Sequence, residues 1–181
     1  MFLTLIGYRG SGKTSVAEAL AQKLGLTAVD SDQIIQQRAG CSIKEIFERQ
    51  GETAFRNLEA EVIADILSGP GTILSAGGGA ILRENTRERM RSAGPVVWLT
   101  ATPEELGRRI AADEVSSAQR PSLTDAGLLQ EIESVLQQRT PIYEEASTLQ
   151  IETEGKSPDE IADEIIAALH LKPSKQTKEG N

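Results

Sequence analysis

The chain has 181 residues, 39% hydrophobic and 25% charged, with a formal net charge of −8; this fits one globular domain with its own apolar core and leaves no room for two. The acidic field disfavours nucleic acid and anionic membrane surfaces as partners, the lone Cys41 excludes an internal disulfide, and no apolar run approaches a membrane-spanning length. The expectation is a cytoplasmic protein with a single domain over 1–171 and a polar, disordered tail over 172–181.

Met1 to Ile6 is an apolar run without a breaker, predicted as the first strand and too close to the next motif to be a cleavable signal. Gly7-Tyr8-Arg9-Gly10-Ser11-Gly12-Lys13-Thr14 follows and fits G-x-x-x-x-G-K-S/T at every fixed position, the pattern of a phosphate-binding loop. Its glycines let successive N–H groups turn inward around a phosphate, Lys13 adds a mobile charge, and Thr14 places a hydroxyl where it can ligand a Mg2+ bridging the phosphates. Val16, Ala17, Leu20, Ala21 and Leu24 recur at helical spacing until Gly25. Leu26 to Val29 reads as a second strand, delivering Asp30-Ser31-Asp32 at its end. These carboxylates form either a metal-and-substrate edge or an Asx cap for a helix beginning near Gln33.

Ser42-Ile43-Lys44-Glu45 is a capping-box signature that starts a helix, and Gly51 interrupts it before a second apolar face from Phe55 to Ile66. Glu52, Arg56 and Glu59 share one side of that second segment. They read first as a surface ion-pair row, with a carboxylate-braced Arg56 gripping an anionic ligand as the alternative. Thr72 to Ser75 is a third strand, ending in Ala76-Gly77-Gly78-Gly79-Ala80. A plain turn seldom needs more than one residue of positive φ, so the run is read as a place where a ligand approaches the backbone. A polar helix from about Glu84 to Ser92 leads to the strand Val96-Val97-Trp98-Leu99, with Trp98 in the core. Thr102-Pro103-Glu104-Glu105 then opens a helix through Ile110.

Residues 111–124 are small, polar and without period, and are read as a lid over the phosphate site with Arg120 inside it. A helix carrying Leu128, Leu129, Ile132, Val135 and Leu136 follows, then a separate short turn from Arg139-Thr140-Pro141 to Tyr143, a strand at Leu149-Gln150-Ile151, and a last helix capped by Ser157-Pro158-Asp159-Glu160. His170, the only histidine, reads as a surface residue at that helix's end rather than a catalyst. Strands alternating with helices, with the phosphate loop after the first, predict an α/β fold of three layers: an open parallel sheet with helices on both faces.

The phosphate loop, Asp30-Ser31-Asp32, Gly51-Glu52 with Phe55-Arg56 and Glu59, Gly77-Gly78-Gly79, Arg120-Pro121 and Arg139 with Tyr143 together resemble the shikimate kinase family in order and spacing, over about Leu3 to Ala168. The resemblance implies a P-loop kinase of the nucleoside-monophosphate-kinase type, with five parallel strands in order 2-3-1-4-5. It implies transfer of the ATP γ-phosphoryl to the 3-hydroxyl of shikimate, a step toward chorismate and the aromatic amino acids, by a monomer whose partners are small molecules. Gly10, Ser11, Gly12, Lys13, Thr14 and Ser15 would hold the ATP phosphates; Thr14 would ligand Mg2+, with Asp30 near the metal through water. Asp32 would orient the attacking hydroxyl. Arg56 and Arg139 would clamp the substrate carboxylate beside Gly77, Gly78 and Gly79, with Glu59 bracing Arg56. Arg120 would close onto the phosphates, so that Lys13, Asp32 and Arg120 form the catalytic set, while Arg109 and Pro158 would flank the adenine.

The chain departs from the family pattern in a longer Arg109-to-Arg120 segment, in Ser122 after Arg-Pro, and in Ser75 where a Walker-B aspartate could stand. Kinases of the same fold acting on gluconate or a nucleotide are the alternatives. A nucleotide-dependent switch is a more distant one, because the chain lacks an Asn-Lys-x-Asp guanine-reading motif.

Overall fold

The computed structural model describes residues 1–113 and 127–172. Five strands, β1 (Leu3–Ile6), β2 (Thr27–Asp30), β3 (Thr72–Ser75), β4 (Val96–Thr100) and β5 (Leu149–Glu152), form one sheet in order β2-β3-β1-β4-β5, with every pairing parallel. The helices are α1 (Lys13–Leu24), α2 (Ser31–Ala39), α3 (Ile43–Ser68), α4 (Glu84–Ala93), α5 (Pro103–Ala112), α6 (Leu128–Ala146) and α7 (Pro158–Ala168). The expected sheet, strand order and layers are all present. None of the described helices is long and apolar enough to cross a membrane.

The strand period of two sorts the core into two layers. Leu3, Leu5, Ile73, Val97, Leu99 and Ile151 pack with Val16, Leu20, Ile161 and Ile165 of α1 and α7. Ile6, Leu74, Val96 and Trp98 face the other way, onto Ile63, Met90 and Tyr143 of α3, α4 and α6. Trp98 is core, as expected, with its ring stacked on Tyr143 at 5.4 Å. A smaller cluster joins Ile35 of α2 to Ile43, Ile46, Phe55 and Val62 of α3. Strand order reverses at β1, which lies between β3 and β4. A crevice therefore opens at the carboxyl ends of the strands beside the phosphate loop.

Several sequence expectations need correction. The proline at 141 does not open a separate turn: α6 runs unbroken from Leu128 to Ala146 with Pro141 inside it. Pro141 and Gln137, the residue whose carbonyl the missing N–H would have met, are both exposed, so water can satisfy the freed acceptor, while buried Tyr143 and Ala146 hold the following turn. Ala111 and Ala112 belong to α5 rather than to a lid. The second helix starts at Ser31 rather than near Gln33, because the Asp30 side chain caps it. Gly51, with φ 79° and ψ 173°, kinks α3 where the sequence pattern breaks. His170 follows α7 with φ 51° and is exposed. Arg120, Pro121, Ser122, the rest of the predicted lid beyond Asp113 and residues 173–181 lie outside the described residues.

Candidate active site

The phosphate loop is a backbone structure. Gly7, Gly10 and Gly12 have φ of 145°, 78° and 87°, and a Cβ at Gly10 would meet Ile110 Cγ1 at 2.9 Å. Only glycine accepts both demands, and the resulting turn delivers Lys13 and Thr14 into the first turn of α1, where the helix N-terminus favours anions. Lys13 is 9% exposed and its ammonium donates to the carbonyls of Gly7 at 3.0 Å and Tyr8 at 2.8 Å.

Thr14 donates to Asp30 Oδ2 at 2.7 Å, and Ser75 donates to the same oxygen at 3.1 Å. Asp30 and Ser75 face each other in the β2–β3 register, so the sheet itself brings these oxygens together. Asp30 Oδ1 accepts the N–H groups of Asp32 at 2.9 Å and Gln33 at 3.4 Å. The cap and the oxygen cluster are thus made by the two oxygens of one carboxylate.

Around the glycine run, the ion pair expected at the surface is buried. Arg56 donates to Glu59 Oε2 at 2.7 Å with side-chain exposures of 13% and 4%, and it reaches Glu52 at 3.4 Å. Burial follows from contact with the glycine loop. A Cβ at Gly77 would meet Asp32 Oδ1 at 2.6 Å and Glu59 Oε1 at 3.0 Å, and one at Gly79 would collide with the Arg56 guanidinium. None of Gly77, Gly78 and Gly79 needs positive φ. At 77 and 79 the absent Cβ admits protein side chains, which is a different reason from the ligand approach expected. The Gly78 carbonyl accepts from Arg139 Nη1 at 3.2 Å and from Tyr143 Oη at 2.7 Å, both on α6.

Arg109 is anchored by Thr153, through Nη1 to the hydroxyl at 2.9 Å and Nη2 to the carbonyl at 3.1 Å, and by Glu105 Oε1 at 2.7 Å. Arg108 foremost, with Arg109, holds the Glu105 carboxyl down from 4.5 to about 2.

These groups converge on one cleft of roughly 460 Å3. Of the expected site residues, Gly10, Gly12, Lys13, Thr14, Ser15, Asp30, Asp32, Gly78 and Arg109 line it. Ser11 is buried beneath the loop, while Arg56, Glu59, Gly77, Gly79 and Arg139 form the adjoining wall through the contacts just given. Pro158 is exposed at the start of α7 and is not among the lining residues. Ala76 of the glycine run and Asp113 of the predicted lid segment also line the cleft, as do Arg9, Gln33, Gln36 and Ser75, to which the sequence assigns no site role. Arg9 sits at a position the motif leaves free. Ser75 showed itself only as a missing aspartate.

Comparison with known proteins gives a consistent picture. The family model described as shikimate kinase matches residues 9–170. The chain is 42% identical over 166 residues to a shikimate kinase from Rhodopirellula baltica, covering 92% of this chain and 89% of that protein. Its structure is similar to that of shikimate kinase from Acinetobacter baumannii in complex with shikimate, with a TM-score of 0.86, 34% identity and 94% of each chain covered. A gluconokinase from Sinorhizobium meliloti, at a TM-score of 0.60 and 20% identity over 93% of this chain and 91% of that one, shares the fold.

Proposed function

This chain belongs to the shikimate kinase family, and from that membership and the chemistry of its cleft we propose that it transfers the γ-phosphoryl group of ATP to the 3-hydroxyl of shikimate, giving shikimate 3-phosphate. One observation carries the reading: a phosphate loop, a carboxylate and an arginine-braced glycine loop face a single cleft, so donor and acceptor can meet without water between them. Gly10, Ser11, Gly12, Lys13, Thr14 and Ser15 hold the donor phosphates. Asp32 accepts a hydrogen bond from the attacking hydroxyl and orients it. Arg56, braced by Glu59, and Arg139 bind the acceptor carboxylate beside Gly77, Gly78 and Gly79. Arg109 and Pro158 flank the adenine, and Arg120 adds charge at the phosphates.

The donor set near Thr14 suits Mg2+. Thr14, Asp30 and Ser75 offer hard oxygen atoms only, and among the described residues there is no group of three or more His, Cys, Asp or Glu side chains that could hold a metal ion. A small cation that keeps most of its water and takes the rest of its ligands from phosphates needs no more than this. Thr14 would bind it directly and Asp30 through water; when bound it would neutralise charge on the donor phosphates. The remaining parts of the reading are a monomer that acts in the cytoplasm on small molecules and takes neither nucleic acid nor membrane as partner.

ATP consumption measured in parallel with shikimate, gluconate and a nucleoside monophosphate tests the assignment. Turnover is expected with shikimate alone; turnover with gluconate and none with shikimate would overturn it.

A further inference from the structure

Arg9 lines the cleft together with Lys13, Asp32 and Gly78, and its side chain is 16% exposed, held against the cleft wall rather than extended into water. What holds it is Glu131 of α6: Arg9 Nη2 donates to Glu131 Oε1 at 3.1 Å. That carboxylate is wholly buried, in a helix stripe otherwise made of Leu128, Ile132 and Val135 packed on Tyr8, Leu106 and Ile110. An apolar side chain would suit the stripe better, since a buried ion pair seldom stabilises a fold more than an apolar replacement does. Its use lies in orientation. The pair consumes one of the five donors of a guanidinium and keeps the fork at the phosphate loop.

The same helix reaches the acceptor wall two turns later, where Arg139 and Tyr143 bond the Gly78 carbonyl. Tyr8 lies at the junction. Burial raises its phenol pKa first of all, Arg9 and Arg139 lower it and Glu131 raises it, so these charges form one cluster around a single ring. Helix α6 thereby contacts both the donor loop and the acceptor loop.

We propose that Arg9 is a second cation of the phosphate loop, contacting the phosphoryl group as it passes between donor and acceptor, and that Glu131 is its positioning residue. The planar fork matches phosphoryl oxygens two at a time, and in phosphoryl transfer the charge to be met is spread over three equatorial oxygens. The contact therefore matters more in the transition state than in the ground state with ATP.

The inference rests on the kinase reading above, and the test separates the two. Arg9→Gln lowers kcat by about tenfold to a hundredfold while KM for ATP changes by less than about threefold. Glu131→Gln, of the same shape, lowers kcat in the same direction, and the double variant is no slower than Arg9→Gln alone. In calorimetry Arg9→Gln weakens binding of ADP with aluminium fluoride by about tenfold or more while ADP alone binds as before, a readout that needs no turnover. Absence of wild-type turnover with shikimate would sink the substrate reading, and the calorimetric ratio would still decide for or against Arg9. An Arg9→Gln protein with unchanged kcat and an unchanged ratio overturns the inference. Additive losses in the double variant, or a lower Tm for Glu131→Gln with kcat intact, assign Glu131 to the fold instead.

Discussion

Asp30 shows how much a single side chain is asked to do at the end of a strand. Its Oδ1 terminates β2 and starts α2 by taking two backbone N–H groups, while its Oδ2 gathers the hydroxyls of Thr14 and Ser75. Fixed by the helix cap, the carboxylate has little freedom left, and the second oxygen is held in place by the first. Arg56 is constrained from three sides, by Glu59, by Glu52 and by the Phe55 ring 5.0 Å from its guanidinium carbon. Such bracing presents a planar fork to a carboxylate, which a lysine cannot imitate. Arg56→Lys keeps the charge and loses the fork. KM for the acid is expected to rise about tenfold or more, the cost of roughly 1.5–3 kcal/mol for a charged hydrogen bond, with KM for ATP little changed. Steady-state kinetics with each substrate varied in turn checks this, and equal weakening of both would identify Arg56 as a structural ion-pair residue.

The helices and strands were readable because their signals are local. Capping boxes at Ser42 and Ser157, the N1 prolines at 103 and 158, and the αL glycine at 25 are all realised in the structure. Where reading failed, a distant contact had decided the outcome. Pro141 is tolerated in α6 because Tyr143 is anchored on Gly78, 65 positions away in sequence, and Arg56 and Glu59 are withdrawn from solvent, while Glu52 stays exposed, because Gly77 and Gly79 lack side chains. Neither partner lies within a helical window. Glu131 did leave a trace: it falls on the stripe of Leu128, Ile132 and Val135, and a carboxylate on an apolar face is a sign of a buried cationic partner. The α5 element carries a pH dependence of its own. Glu105 binds Arg108 and Arg109, and its carboxyl is held at about 2, against 4.5 when unperturbed. A depressed carboxyl stabilises the folded state fully above its unfolded pKa, so this contribution is present above about 4.5 and is lost as the pH falls toward about 2. Urea unfolding across that window should show a steeper acid decline for the wild type than for Glu105→Gln. Parallel declines would mean that the Arg108 and Arg109 contacts add nothing in solution.

At the scale of the molecule, the cleft is a seam between two separately packed parts. The phosphate loop hangs from β1 and α1, whose Leu3, Leu5, Val16 and Leu20 belong to the layer shared with α7. Arg56 stands on the segment of α3 beyond the Gly51 kink, and neighbouring Phe55 and Val62 pack with Ile35 of α2 in another cluster. Ligands on the two sides should therefore stabilise the fold through different anchors. A ligand at a hundred times its Kd adds about 2.7 kcal/mol, and a chain of this size gains roughly 2–4 °C per kcal/mol, so ADP and shikimate are each expected to raise Tm by roughly 5–11 °C. The variants should cross. Lys13→Ala is expected to keep the shikimate shift and lose most of the ADP shift, because the ammonium it removes sits at the Gly7 and Tyr8 carbonyls and not at the acceptor wall. Arg56→Lys should keep the ADP shift and lose most of the shikimate shift. Thermal unfolding of the wild type and both variants, each with each ligand, decides the matter. If either variant loses both shifts together while its ligand-free Tm is unchanged, donor and acceptor are held by one coupled site, and the division of the cleft into two independently anchored walls is wrong.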